Sequence, residues 1–281
     1  MSDQQLGIIG LGLLGNAMAE RLLAADFALL GFDVNADRRN EFAALGGNVA
    51  ESATVVAQQC WQVLLSLPDS AIVKAVLAEI APHLSPGMLL IDTTTGDPAD
   101  SAAIAAELAA REVAYVDATI VGSSAQVREG DCIVLTGGTD VAVVVTEQVC
   151  AAFARRVFHV GASGSGARMK LVVNLVLGLH RAVLAEGLSL AASLELDPKL
   201  ALEILTASAA YSRVMDTKGQ KMLARDFTPQ ARLAQHAKDV QLILAAGDRT
   251  GASLPLSSVH AELLESLIAQ GYGPLDNSVI M

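Results

Sequence analysis

Residues 161–197 contain no proline and hold the most apolar run of the chain, so one long helix is expected there. Apolar side chains sit almost all round it, which predicts burial on most sides. It opens with Gly164-Ser165-Gly166-Ala167-Arg168-Met169-Lys170-Leu171-Val172-Val173-Asn174, which sets an ammonium in an apolar context. Burying that charge is costly unless something uses it. Lys170 and Asn174 are four residues apart and share a helix face. Arg181, eleven on from Lys170, returns to the same face about three turns later. A desolvated Lys facing the positive end of a helix dipole should have its pKa pushed down, which suits acid/base work. The alternative is a snorkelling Lys with its head in water.

The rest of the chain supplies a setting for that Lys. Leu6-Gly7-Ile8-Ile9 is a short apolar run, followed by Gly10-Leu11-Gly12-Leu13-Leu14-Gly15 and a helical pattern through Met18, Leu22 and Leu23. A G-x-G-x-x-G turn between strand and helix suits a dinucleotide pyrophosphate: Gly10 permits the turn, Gly12 the close approach and Gly15 the helix packing. The next strand, Ala28-Leu29-Leu30-Gly31-Phe32, ends at Asp33, eighteen residues past Gly15. A carboxylate there can accept both ribose hydroxyls and would repel a 2′-phosphate, which favours NAD over NADP. Arg38 and Arg39 are expected on the exposed face of the second helix. The plainer reading of Asp33 is a cap for the helix from Ala36.

Further strands are expected at Val63-Leu64-Leu65-Ser66-Leu67, Met88-Leu89-Leu90-Ile91, Ala114-Tyr115-Val116-Asp117 and Cys132-Ile133-Val134-Leu135-Thr136. Helical stretches alternate with them, which indicates a doubly wound, mostly parallel sheet of Rossmann type. Ligands bind beyond the carboxyl ends of such strands, where Leu67-Pro68 and Thr94-Thr95 would lie. The two threonines can otherwise cap the helix from Pro98. Ala118-Thr119-Ile120-Val121-Gly122-Ser123-Ser124 reads as a loop whose amides can reach a substrate anion, or as an ordinary connection.

From Gly161 the strand signals vanish, and helices are expected at 198–208, 212–223, 229–246 and 255–270. The expected domains are a sheet domain over 1–161 and an all-helical one over 162–281, the latter burying part of its apolar surface against a partner subunit. Lys238 and Asp239 are adjacent, point different ways on a helix, and are expected on a solvated face. A net charge of −11 argues against nucleic acid and anionic membrane as partners. Cys60, Cys132 and Cys150 are too widely spaced for a metal site or a disulfide framework, so no metal and a reducing, cytoplasmic setting are expected. The amino-terminal Met1-Ser2-Asp3-Gln4-Gln5 has no basic region, so no signal peptide is expected. Asn174, His180, Arg181 and Glu186 make the long apolar helix too polar for a membrane span.

Five places resemble one family, the β-hydroxyacid dehydrogenases, the group of 3-hydroxyisobutyrate dehydrogenase and tartronate semialdehyde reductase. They are Gly10 to Gly15, Leu67-Pro68, Asp92 through Pro98, the G-x-G-x-x-x-K-x-x-x-N run from Gly164 to Asn174, and Lys238-Asp239. The resemblance implies that Lys170 is the general acid in reduction and base in oxidation, and that Asn174 orients the substrate oxygen. It implies cofactor contacts from Thr95 and Lys238, with the nicotinamide between the sheet domain and the Lys170 helix. One departure stands out. The family's substrate loop commonly reads Asp-Ala-Pro-Val-Ser-Gly-Gly; here it is Asp117-Ala118-Thr119-Ile120-Val121-Gly122-Ser123. Val121 cannot donate the hydrogen bond of the serine it replaces, so Ser123 or Ser124, with the Gly122 and Ser123 amides, is expected to take over.

The function these readings converge on is an NAD(P)-dependent oxidoreductase acting on a small 3-hydroxyacid/semialdehyde pair, as a homodimer or homotetramer. Imine reductases share the fold and, by resemblance, often carry Asp or Tyr at the Lys170 position. A non-catalytic dinucleotide sensor would keep the glycine turn and Asp33 but would not need Lys170 and Asn174.

Overall fold

The computed structural model of the chain describes residues 5–281. Residues 1–4, on which the signal-peptide expectation mainly rests, lie outside the described residues. The chain divides into two compact units, Met1–Lys170 and Leu171–Met281. The boundary expected after 161 marks the end of the last strand, whereas the first unit also takes in the start of the long helix.

The first unit alternates strand and helix. In order come β1 (Leu6–Ile9), α1 (Leu13–Ala24), β2 (Leu29–Phe32), α2 (Ala36–Ala44), β3 (Asn48–Val49), α3 (Ala53–Gln59), β4 (Gln62–Leu65) and α4 (Ser70–Ile80). Then follow β5 (Leu89–Asp92), α5 (Pro98–Ala109), β6 (Ala114–Val121), α6 (Ser124–Arg128), β7 (Cys132–Gly137), α7 (Asp140–Cys150), β8 (Ala154–Gly161) and the start of α8 (Ser165–Ser193). The strand order is β3-β2-β1-β4-β5-β6-β7-β8. Strands β1 to β6 pair parallel; β7 runs antiparallel to β6, and β8 is parallel to β7. The chain direction of the sheet's growth reverses between β1 and β4, the position where open α/β sheets open a ligand crevice at their carboxyl ends.

The central strands are apolar throughout because both faces are covered. In β5, Leu89 and Ile91 pack into one core with Leu11, Met18, Leu22 and Phe153, while Leu90 joins the other with Val56, Val73 and Ile80. Two expectations need correction here. The stretch after Asp117 is not a loop: β6 continues to Val121, four residues past its pairing with the end of β5. Thr119, Ile120 and Val121 are β-branched and fit a pleated, half-buried surface. Strands β3 and β8 were not expected. One is two residues long, and the other carries exposed Arg155 and Arg156 on the sheet's edge.

The second unit is helical, as expected. After α8 come α9 (Pro198–Ala207), a π-helical turn at Met215–Gly219, α10 (Gln220–Ala224), α11 (Leu233–Thr250), α12 (Pro255–Ala269) and a closing 3₁₀ turn at Asn277–Ile280. The helix expected at 212–223 is present over 213–224, with the π turn inside it. Asp276 ties this unit's carboxyl end down, accepting from Lys218 Nζ at 2.8 and 2.9 Å and from the Gln230 and Ala231 amides. Helix α8 is not buried on most sides. Its buried positions form one stripe through Leu171, Asn174, Gly178, Arg181, Leu184 and Leu188, while Val172, Val176, Val183 and Leu190 are exposed. A stripe with the helical period, backed by a second apolar face, is the pattern of a helix with something still to cover.

Candidate active site

The cofactor turn is shaped for an anion. Gly10 has φ of +96°, a left-handed conformation, and a β-carbon there would run into the Ser66 carbonyl. At Gly12 the space a β-carbon would take is open. Helix α1 starts at Gly12 with no side-chain cap, so its first amides point outward without an intrahelical partner. A helix start of this kind holds a phosphate with its N–H groups and dipole. The Leu67 side chain adjoins Gly10, and Leu11 N donates to Asp33 Oδ2 at 2.7 Å. Turn and acidic residue are therefore one assembly, and the residues present fit a dinucleotide.

Asp33 does not cap α2. That task falls to Asn35, whose side chain accepts from Asp37 N, while Asp33 Oδ1 accepts from Asn35 N at 2.8 Å. Arg38 pairs with Glu41, but Arg39 is not simply on the outer face. Its Nη1 donates to the Asp33 carbonyl at 2.6 Å and its guanidinium lies 5.8 Å from the Phe32 ring centre.

The loops after β4 and β5 are tied together beside this turn. Leu67 N donates to Thr94 Oγ1 at 3.1 Å, and Asp97 N to Ser70 Oγ at 2.8 Å, which encloses Pro68 and Thr95 in a fixed pair of loops. Neither threonine caps α5, because Asp97 does. Below them Asp92 is wholly buried and accepts from Thr94 N at 2.9 Å and Tyr115 Oη at 2.7 Å. Burial pushes its carboxyl above the ordinary value, against these hydrogen bonds.

Its neighbour in register, Asp117, does the equivalent work for α8. Asp117 accepts from Gly164 N at 2.6 Å and Ala167 N at 2.7 Å, binding the helix start to β6. Burial pushes its pKa up to about 6, although those amides pull it down. Thr119 Oγ1 adds a bond to the Gly166 carbonyl, and a β-carbon on Gly166 would press on the Leu135 and Asp117 carbonyls. The Gly-Ser-Gly run is the seam along which α8 approaches the sheet.

This seam places Lys170. Its Nζ is buried and donates to the Ile120 carbonyl at 2.6 Å, on the overhanging end of β6. That end points the same way as the ends of β1, β2, β4 and β5, so the ammonium lies at the carboxyl edge of the sheet with the glycine turn and Asp33. A snorkelling Lys is not what the structure contains.

Next to Ile120 lies the altered loop. Ser123 caps α6: its hydroxyl accepts from Gln126 N and its amide donates to Gln126 Oε1 at 2.9 Å. This cap uses the Ser123 amide, whereas its hydroxyl, an acceptor in the cap, keeps its hydrogen to donate to an anion. Gly122 and Ser124 are the remaining members of that set.

In the helical unit, Asn174 is buried and donates Nδ2 to Asp239 Oδ2 at 3.0 Å. The solvated face expected for the Lys238-Asp239 pair holds at most for half-buried Lys238, 3.6 Å from the Asp239 carboxylate. Asp239 and Asp117 are the working residues that spacing alone did not single out. For Asp239 a signal existed: it falls three residues after His236 and one before Val240, on the buried stripe of α11.

Comparison with known proteins agrees with this geometry. Residues 5–161 match the family described as the NAD binding domain of 6-phosphogluconate dehydrogenase. Residues 164–281 match the NAD-binding domain of NADP-dependent 3-hydroxyisobutyrate dehydrogenase. An L-threonate dehydrogenase of Cupriavidus necator is 28% identical over 99% of this chain and 95% of its own. A 3-hydroxyisobutyrate dehydrogenase structure from Salmonella typhimurium aligns with TM-score 0.91 and 27% identity over 99% of both chains. A Mycobacterium tuberculosis 3-hydroxyisobutyrate dehydrogenase solved with L-serine aligns with TM-score 0.89 and 25% identity, over 99% of this chain and 97% of that one.

The titration of Asp117 gives a test of the seam. A carboxyl whose folded pKa is raised to about 6 contributes stability fully below its unfolded value near 4, and loses it as pH rises through about 6. The stability advantage of wild type over Asp117→Asn should therefore be larger at pH 4 than at pH 7 in urea unfolding. A gap that widens with pH would contradict the assigned environment.

Proposed function

We propose roles for these residues on the premise that the chain belongs to the β-hydroxyacid dehydrogenase family. The protein is an NAD(P)-dependent oxidoreductase of hydroxyacids. The nicotinamide, when bound, supplies or takes the hydride. Lys170 gives a proton to the substrate oxygen in reduction and takes it back in oxidation. One observation carries this assignment: a buried ammonium held on the Ile120 carbonyl, at the edge of the sheet that bears the cofactor turn. The carbonyl accepts one of the ammonium's hydrogens and holds the amine in place at that edge. Asn174 orients the same oxygen with the amide hydrogen that Asp239 does not use. The Gly122 amide and Ser124 take the substrate acid group in place of a serine at 121, and Pro68, Thr95 and Lys238 line the dinucleotide. The protein's contribution is placement and electrostatics. Lys170 and Asn174 together argue against the imine reductase and sensor readings. The expected result is that Lys170→Ala lowers kcat by about 10²–10⁴-fold while NADH still binds, read by steady-state kinetics and fluorescence titration. Unchanged kcat with a verified hydroxyacid would remove Lys170 from the reaction.

The preferred cofactor in this proposal is NAD. The Asp33 carboxylate is fixed by the Leu11 and Asn35 amides at the ribose corner, where it would repel a 2′-phosphate. Arg39 lies against the same backbone, so Asp33→Ser should expose a ready cation. The ratio of kcat/KM for NADH over NADPH should exceed one in wild type and fall at least about tenfold in that variant. A wild type that prefers NADPH would overturn the choice.

We also propose a homo-oligomer in a reducing, cytoplasmic setting. Support for the setting is that all three cysteines are free and buried. Support for the oligomer is the second apolar stripe of α8, where Val176, Val183 and Leu190 recur every seven residues and are exposed. Light scattering should find a dimer or tetramer, and Val183→Glu should shift it towards monomer. A wild-type monomer would contradict this.

A further inference from the structure

The helical unit holds a buried cation that the dehydrogenase chemistry does not use. Arg181 is 7% exposed, and its Nε and Nη1 have no hydrogen-bond partner among the described residues. The carboxylate that acts on it is Asp276. Asp276, however, is already saturated. Oδ1 accepts from Lys218, Ser278 N and Ser278 Oγ, and Oδ2 from Lys218, Gln230 N and Ala231 N. Lys218 is itself a cation that Arg181 opposes. Two cations thus face one carboxylate, and that carboxylate has no lone pair left to offer. Burial pulls the guanidinium down only to about 10, so it remains charged at neutral pH.

The neighbouring groups fit the same need. Gly178, one turn before Arg181 on α8, is where the rings of His236 and His260 close in: a β-carbon there would sit 2.7 Å from His236 Nε2 and 2.8 Å from His260 Cε1. The two rings are 5.2 Å apart. His260 is 3% exposed and its Nε2 has no partner among the described residues. Burial and the Arg181 charge hold its pKa at about 4, so the ring is neutral and can still donate one N–H. A buried charge without a partner and a buried donor without an acceptor are both costly. An anion with two acceptor oxygens would relieve both.

We infer that Arg181, with His260 beside it, is the receptor for a small carboxylate within the helical unit. A planar, two-oxygen anion suits the guanidinium fork better than a spherical halide. The carboxylate is either a free one or the second acid group of a dicarboxylic substrate.

Thermal unfolding of the 281-residue protein tests this, with sodium formate or acetate replacing sodium chloride at fixed ionic strength. The wild-type Tm should rise with carboxylate concentration, as for any ligand of the folded state. Arg181→Met should not respond, and in chloride alone it should melt at or above wild type because it removes an unpaired buried charge. Arg181→Lys, which keeps the charge without the fork, should respond less than wild type. A wild-type Tm that is indifferent to carboxylate overturns the inference. So does Arg181→Met melting well below wild type in chloride, which would mean a satisfied structural cation. The source is separated by kcat/KM, a measurement that rests on the dehydrogenase reading whereas the Tm series does not. In Arg181→Met, a loss of about tenfold confined to semialdehydes with two carboxylates identifies the substrate's own acid group. No loss for either class in that variant, with the wild-type Tm still rising with carboxylate, identifies a free carboxylate.

Discussion

The placement of Lys170 depends on a buried carboxylate of the sheet. Asp117, buried inside β6, accepts the Gly164 and Ala167 amides and so fixes where α8 begins. The first turn of a helix has N–H groups without intrahelical partners, and a buried acceptor is the economical way to satisfy two of them. Once the start is fixed, helix geometry carries the rest. Lys170 falls a turn later, and its Nζ reaches the carbonyl of Ile120, three residues further along the same strand. Strand and helix thereby locate an ammonium with a precision that a loop would not give.

A parallel device operates one strand away. Asp92 holds the turn after β5 through the Thr94 amide, and Thr94 in turn receives the Leu67 amide from the turn after β4. Adjacent buried carboxylates in register thus anchor adjacent parts of the candidate site, one the loops after β4 and β5 and one the start of the helix that carries Lys170. Each is unfavourable to bury as an anion, and burial pushes both pKa values upward. The strain falls where the site needs rigidity, which is where departures from a purely apolar core are expected.

How much of this could be read from the chain follows from which signals are local. Strands β1, β2, β4 and β5 are legible because residues covered on both faces leave apolar runs ending at Gly10, Asp33, Pro68 or Asp92. The glycine turn is legible for the same reason, since its constraint acts within six residues. Strand β8 is not: Arg155 and Arg156 on an exposed edge lack any apolar alternation. The end of β6 was obscured because Gly122 and two serines follow it, although Thr119-Ile120-Val121 carries strand character. Long-range roles are the least legible. Nothing local distinguishes Asn35 from Asp33 as the cap of α2, or places Asp239 on Asn174, 65 residues away in sequence. The apolar second face of α8 is legible as hydrophobic, whereas its exposure is not, because composition does not tell which apolar face a chain buries within itself.

The central claim is that the ammonium at 170 is the proton donor for the substrate oxygen. The most direct test is a crystal structure of the ternary complex with NAD and an unreactive hydroxyacid analogue. The account predicts Lys170 Nζ within about 2.6–3.2 Å of the analogue's hydroxyl oxygen, with the Asn174 amide on that same oxygen. An ammonium with neither a direct contact nor one bridging water to the hydroxyl would contradict it.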